Sequence, residues 1–282
     1  MKERTDTSIV DPDHPAETAR LMVQDSVMTE GMHGLFPERR DILGIQSILD
    51  VGCGSGGWVF DVAHVYPDAS VVGIDRSPTV VAYNQAQAMV QHMDNVQFLV
   101  MDALQPLTFA GEPFDLVNVR FAASFIPKGQ WGPFLQHCLS ALRPGGILRV
   151  TECEVVGLTN SPAVEQMHTW AAHLLAAHGY GFSPDGSHIG ILPMLGPLLQ
   201  EAGCVHMGSQ PHTLDFSWGT SLHDRQYQNY MVWPILIEAL LLATLSVKKE
   251  EFDHTYQDML YEMHMPQFRG LWSVLTVWGE KE

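Results

Sequence analysis

The 282-residue sequence predicts an α/β fold, a mostly parallel sheet flanked by helices. Between residues 46 and 154, short β-branched runs alternate with helix-patterned stretches. The first run ends in a glycine-rich turn, Gly52-Cys53-Gly54-Ser55-Gly56-Gly57, and a helical pattern follows at once. Acids stand at the ends of the first three runs, at Asp50, Asp75 and Asp102. Open parallel sheets bind their ligands at those carboxyl ends.

Taken in order, residues 16–30 read as a helix outside the sheet, and strands are expected over 47–51, 70–74, 96–101, 114–119 and 146–153. Ser77 suits the cap of the helix between the second and third strands, with Pro78 at its first position. Ala82, Tyr83, Ala86, Met89 and Val90 form its expected sheet-facing stripe. A helix over 131–142 leads into the turn Pro144-Gly145-Gly146 and the fifth strand. Ser161-Pro162 then opens a helix running to about residue 178. A glycine-rich connector, a helix ending near 203 and a strand over 205–216 follow. Helices over 222–245 and 249–263 precede a last strand over 271–279. The organisation is therefore a cover helix (1–40), a core (41–154) and helical lid insertions interleaved with the last strands (155–282). The run 230–247 approaches membrane-spanning length, but Pro234 and Glu238 interrupt it. Strand-like sequence on both sides must join one sheet, so a lid helix is expected there and no membrane span.

Composition narrows the function. With 15 Lys and Arg against 32 Asp and Glu, the formal charge is −17. The basic residues are scattered, and such a chain repels phosphate backbones, so no nucleic-acid partner is expected. The four cysteines lack metal-like spacing and the start of the sequence lacks an apolar leader run. Both point to a cytoplasmic protein with reduced thiols.

The glycine turn carries the chemistry. Glycines let the backbone approach a ligand closely, and the helix N-terminus beyond adds partial positive charge. Gly52, Gly54 and Gly57 also fit the spacing of a dinucleotide fingerprint, and Asp75 suits a ribose in either case. Asp50 separates the readings. An acid there opposes a pyrophosphate but suits a ligand bearing an ammonium and a sulfonium. Met101-Asp102-Ala103 ends the third strand, where an Asp can accept from an adenine amino group. Leu142-Arg143-Pro144-Gly145-Gly146 precedes the fifth strand.

Together these features strongly resemble the class I S-adenosylmethionine (SAM)-dependent methyltransferases, particularly the branch similar to the ubiquinone- and menaquinone-biosynthesis enzymes. The likeness covers residues 46–154. It implies a Rossmann-like seven-stranded sheet whose last strand inserts antiparallel between two others. It implies S-adenosyl-L-methionine as cofactor and S-adenosyl-L-homocysteine (SAH) as product. On the matching positions, Gly52, Gly54 and Gly56 line the amino-acid half of SAM, Asp50 supports the loop and Asp75 binds the ribose. Arg76 covers the adenine, where many relatives carry an aliphatic residue, and Asp102 and Ala103 hold the adenine edge. Asn118, Arg120 and Phe121 occupy the fourth-strand exit beside the methyl group.

Other methyltransferase types fit poorly. DNA amino-methylating enzymes carry an Asn/Asp-Pro-Pro-aromatic motif where this chain has Asn118-Val119-Arg120-Phe121. Glu152 and Glu154 share a side of one strand, but no Asp-Asn pair follows, so no metal is expected and Glu152 reads as a pocket polar group or a sheet-end hydrogen bonder. His168, His173 and His178 are five residues apart, each step about 140° beyond a helical turn, and so share no face. The acceptor is expected to be a small, largely apolar metabolite of secondary metabolism, methylated on oxygen, nitrogen or carbon. Two means of activating it stay open: a histidine base at His178 or His188, or an aromatic cage of Tyr227, Tyr230 and Trp233. The alternative function is SAM binding without methyl transfer, as in a cyclase or a regulatory interaction protein. The N-terminal helix also leaves a homo-oligomer open, because an exposed arm can exchange between protomers.

Overall fold

The computed structural model describes residues 9–39, 42, 44–154 and 157–282. Parts of the expected cover segment, and both boundaries near residues 41 and 155, therefore lie outside the described residues. The strands are β1 (Ser47–Val51), β2 (Ser70–Asp75), β3 (Val96–Val100), β4 (Phe114–Arg120), β5 (Leu142–Cys153), β6 (Leu158–Thr159), β7 (Cys204–Asp215) and β8 (Gly270–Lys281). The helices are α1 (Pro15–Gly31), α2 (Gly57–Val65), α3 (Pro78–Val90), α4 (Trp131–Ala141), α5 (Pro162–Ala177), α6 (Leu192–Glu201), α7 (His223–Thr244) and α8 (Lys249–Met263).

Strands β3, β2, β1, β4 and β5 pair in that order, all parallel. β8 then runs antiparallel between β5 and β7, as the resemblance implied. The sheet has eight strands rather than seven because the two-residue β6 pairs with the start of β8. Ser77 and Ser161 cap α3 and α5 through their hydroxyls, each with proline at the first helical turn.

The expected inner stripe of α3 is wrong. Tyr83, Met89 and Val90 are exposed, as are Ala82 and Ala86, and the helix buries Val80, Val81 and Asn84 instead. The cause is polar: the Asn84 amide donates to the Gly54 carbonyl at 2.8 Å, which fixes the rotation of the helix. An apolar-stripe reading cannot see that bond.

Three apolar cores result. Trp58, Val59 and Val62 of α2 and Val81 of α3 pack with Phe36 on one sheet face. Helices α4 and α6 cover the other face through Phe134, Leu135, Leu195 and Leu199. The third core joins α1, α5, α7 and α8 to the β5–β7–β8 end of the sheet. It forms a helical roof over the carboxyl ends of the strands. Among the described residues, no helix is long and apolar enough to cross a membrane.

Candidate active site

Beneath that roof lies a cavity of about 330 Å³, within the usual range for ligand sites. Its floor is the glycine turn. Gly52 (φ +71°) and Gly54 (φ +50°) hold left-handed conformations and line the cavity. Asp75 fixes this turn: one carboxylate oxygen accepts the Gly54 N–H at 3.1 Å, the other the Ser77 N–H at 2.9 Å. Asp50, Arg76, Asp102, Ala103 and Arg120 also line the cavity. Asp102 doubles as a turn former, accepting the Leu104 N–H at 2.9 Å.

Two residues expected at the cofactor do not line the cavity. Gly56 caps α2 with φ +76°, and its Cα faces Phe60, Asn84 and Phe98, so it serves packing. Asn118 is fully buried and donates to Asp50 at 2.7 Å while accepting from Arg149 at 2.7 Å. Burial raises the Asp50 pKa to about 7, opposed by the Arg120 charge and the Asn118 hydrogen bond.

Helix α1 closes the cavity from above with Glu17, Arg20, Leu21, Gln24 and Asp25. Arg20 is gripped bidentately by Glu17 and reaches Asn229 on α7 at 2.9 Å. Asp25 pairs with Arg120 at the end of β4 and sits directly over Gly57. A Cβ on Gly57 would come within 2.1 Å of the Asp25 carboxylate. This glycine thus admits a helix rather than a phosphate. Gly57→Leu is expected to lift α1 and speed proteolysis within residues 9–31, read by limited digestion. A digestion pattern identical to that of the unaltered chain would refute this seat.

The far end of the cavity is built by β5, α5, α7 and β8. It contains Glu152, His168, Gln226, Asn229, Tyr230, Trp233, Ile237 and Trp272. Tyr230 and Trp233 were expected there. Tyr227 was too, but it points elsewhere, its ring against His223 and His264. The cavity stripe on α7 runs 226, 229/230, 233, 237, one position away from the face of Tyr227 and Pro234. His178 is exposed and its Nδ1 bonds the Leu174 carbonyl at the end of α5. His188 is exposed on the glycine-rich connector beside Ser187. Neither histidine lines the cavity, so the base candidates are corrected.

The carboxyl and imidazole groups that do reach this end are those of Glu152 and His168. His168 is buried, with Nε2 2.5 Å from the Tyr230 hydroxyl, and desolvation lowers its pKa to about 4. Glu152 accepts the Ala123 N–H at 3.1 Å, and burial raises its pKa to about 8. Glu154, by contrast, is consumed structurally, accepting the Ile189 and Gly190 N–H groups at 2.9 and 3.1 Å. Among the described residues, no cluster could hold a metal ion. Sequence periodicity did not single out His168 and gave no sign of its partner on α7.

The raised Glu152 pKa has a stability consequence. Between the ordinary carboxyl pKa and about 8 the unfolded chain releases a proton that the folded chain keeps, so stability falls as pH rises through that window. Glu152→Gln keeps the acceptor for Ala123 and removes the titration. Its melting temperature should exceed the unaltered chain's by more at pH 8 than at pH 6. A pH-independent difference between the two melting curves would contradict the buried, protonated carboxyl.

Residues 48–146 match the family model of a methyltransferase domain. Methyltransferase str3 of Strobilurus tenacellus is 29% identical over 168 residues, 58% of this chain and 56% of that protein. The secondary metabolism regulator laeA of Aspergillus fumigatus is 31% identical over 246 residues, 77% of this chain and 62% of that protein. The chain thus spans little more than half the length of these relatives. Among solved structures, a phosphoethanolamine N-methyltransferase 2 of Haemonchus contortus, bound to phosphomonomethylethanolamine and SAH, shares the fold. The TM-score is 0.54 at 16% identity, covering 90% of this chain and 52% of that one. With its parallel sheet, inserted antiparallel strand and glycine turn, this chain has the fold of that solved methyltransferase, and residues 48–146 match a methyltransferase domain.

Proposed function

We propose that the chain is an enzyme that transfers a methyl group from SAM to a small, uncharged, largely apolar acceptor in secondary metabolism. One observation carries the reading: a single cavity joins the glycine turn and its carboxylates to the pocket of Tyr230, Trp233 and Trp272. The residues present suit the cofactor. Asp75 and Asp102 offer acceptors for ribose and adenine, and Asp50 faces the cationic end. The buried Nη1 of Arg120, which has no hydrogen-bond partner among the described residues, suits a carboxylate. SAM supplies an already activated methyl group, so the protein's part is chiefly positioning and exclusion of water.

The acceptor end supports a neutral ligand. Glu152 holds its proton at neutral pH and His168 lacks one extra, so both present uncharged hydrogen-bonding groups. The Glu17–Arg20 pair cancels its own charge. The apolar wall of Ala171, Leu174, Ile237 and Trp272 takes the rest of the molecule. The test has two parts. Calorimetry should show SAM binding, and incubation with neutral phenols, N-heterocycles and terpenoid alcohols should release SAH, read by mass spectrometry. Binding without SAH across that panel favours the second reading, a cofactor-binding protein without transfer, which the likeness to a regulator supports. The net charge disfavours nucleic acid as acceptor, and the free thiols suit a cytoplasmic setting. Exchange of α1 between copies offers a route to a homo-oligomer.

A further inference from the structure

We propose that Glu38, Arg149 and Asn118 form a buried relay that orients Asp50, and that all three are positioning residues for the cationic end of the cofactor. The inference rests on the SAM reading above, but the relay itself is a matter of geometry. Asp50 on β1 stands opposite Asn118 on β4, and Asn118 stands opposite Arg149 on β5. The three side chains therefore lie in one row across one sheet face. The Arg149 guanidinium donates to Glu38 at 2.7 and 3.3 Å and to the Asn118 oxygen at 2.7 Å. The Asn118 amide nitrogen donates onward to Asp50 at 2.7 Å. Arg149 and Glu38 side chains are each 1% exposed.

Direction is what the relay transmits. An asparagine amide has a donor end and an acceptor end, and either can face a neighbour. A guanidinium only donates, so Arg149 fixes the amide with its oxygen inward and its nitrogen toward Asp50. Glu38, from the segment joining α1 to β1, neutralises the buried Arg149. Without Arg149 the amide is free to turn its oxygen toward Asp50 and repel it. Asp50 then loses both a hydrogen bond and a favourable charge. The remaining groups facing it are Arg120 from β4, Asp25 from α1 and the Cys53 thiol of the glycine turn. Of these only Arg120 favours the ionised form. A protonated Asp50 no longer attracts a cation.

The full chain carrying Arg149→Met, Asn118→Leu or Glu38→Gln is compared with the unaltered chain. Two readouts are used: calorimetric SAM binding at pH 7 and pH 9, and NMR titration of side-chain carboxyls without ligand. Arg149→Met and Asn118→Leu should weaken SAM binding about tenfold or more at pH 7, and Arg149→Met should regain part of it at pH 9. Asp50 should titrate at higher pH in both. Glu38→Gln, the mildest change, keeps the proposal testable if the others fail to fold: it leaves Arg149 on the amide but uncovers its charge, so Asp50 should titrate at lower pH and SAM binding at pH 7 should hold or tighten. A folded variant with unchanged SAM affinity and unchanged Asp50 titration overturns the relay. So does an equal loss of affinity at both pH values with Asp50 unmoved, which would mark a purely structural role. Failure of the unaltered chain to bind SAM overturns the cofactor reading instead, while the NMR titration still decides the relay.

Discussion

Asp75→Ala is expected to weaken SAM binding about a hundredfold or more while the sheet stays folded. The Asp75 carboxylate already accepts the Gly54 and Ser77 N–H groups, so it shapes the glycine turn before any ligand arrives. On the proposed reading, its free lone pairs would meet the ribose hydroxyls in the bound state. Charge-assisted hydrogen bonds contribute about 1.5–3 kcal/mol each, and two at the lower end give roughly a hundredfold in affinity. The fold survives because α3 keeps its own cap, the Ser77 hydroxyl on Val80 N–H. Calorimetry checks it, and unchanged affinity in a folded Asp75→Ala chain would remove SAM from this site.

The second large effect falls on Tyr230. Tyr230→Phe should reduce turnover by about 10²-fold at saturating SAM, the lower end of what a positioned proton-handling group contributes. The ring packing on Phe216 survives this change. What is lost is the hydroxyl that shares a proton with His168 Nε2 inside the cavity. Desolvation keeps that pair uncharged, raising the tyrosine pKa and lowering the histidine's. Trp233→Ala removes the ring stacked on His168 and should be impaired as well. His178→Ala and His188→Ala should turn over normally, since both side chains lie outside the cavity. A Tyr230→Phe chain at full rate, or a crippled His188→Ala chain, would relocate the acceptor site.

These outcomes reflect what a sequence can display. The parallel core was legible because β-branched runs, the glycine turn and the Ser77-Pro78 cap are local signals read within a few residues. The three carboxylates that line the cavity were legible for the same reason, each sitting at a strand end. The acceptor end was not. His168 and Tyr230 meet across 62 residues, and Glu152 reaches the Ala123 N–H across 29. Choosing among histidines by their nearness to a glycine hinge led to His178 and His188, because exposure is a property of the assembled lid. Tyr227 failed by one position on α7, where a helix turned by 100° presents a different face. Arg149 was invisible for another reason: a lone arginine in an apolar strand signals nothing until its partners on β4 and before β1 are in place.

The placement of β8 has a consequence for how the molecule is made. Strands β1 to β5 carry the glycine turn and every carboxylate proposed for the cofactor, and they leave the ribosome before β7 and β8. Yet β5 and β7 each expose a full inner edge until β8, translated more than fifty residues after β7, slides between them. Unpaired edges of that length invite association with other chains, and distant pairings close slowly. The nascent protein therefore passes through an interval in which its ligand-binding half is shaped but adhesive. A stop codon between β7 and residue 270 would freeze it there, producing a protein prone to aggregate rather than a smaller working one.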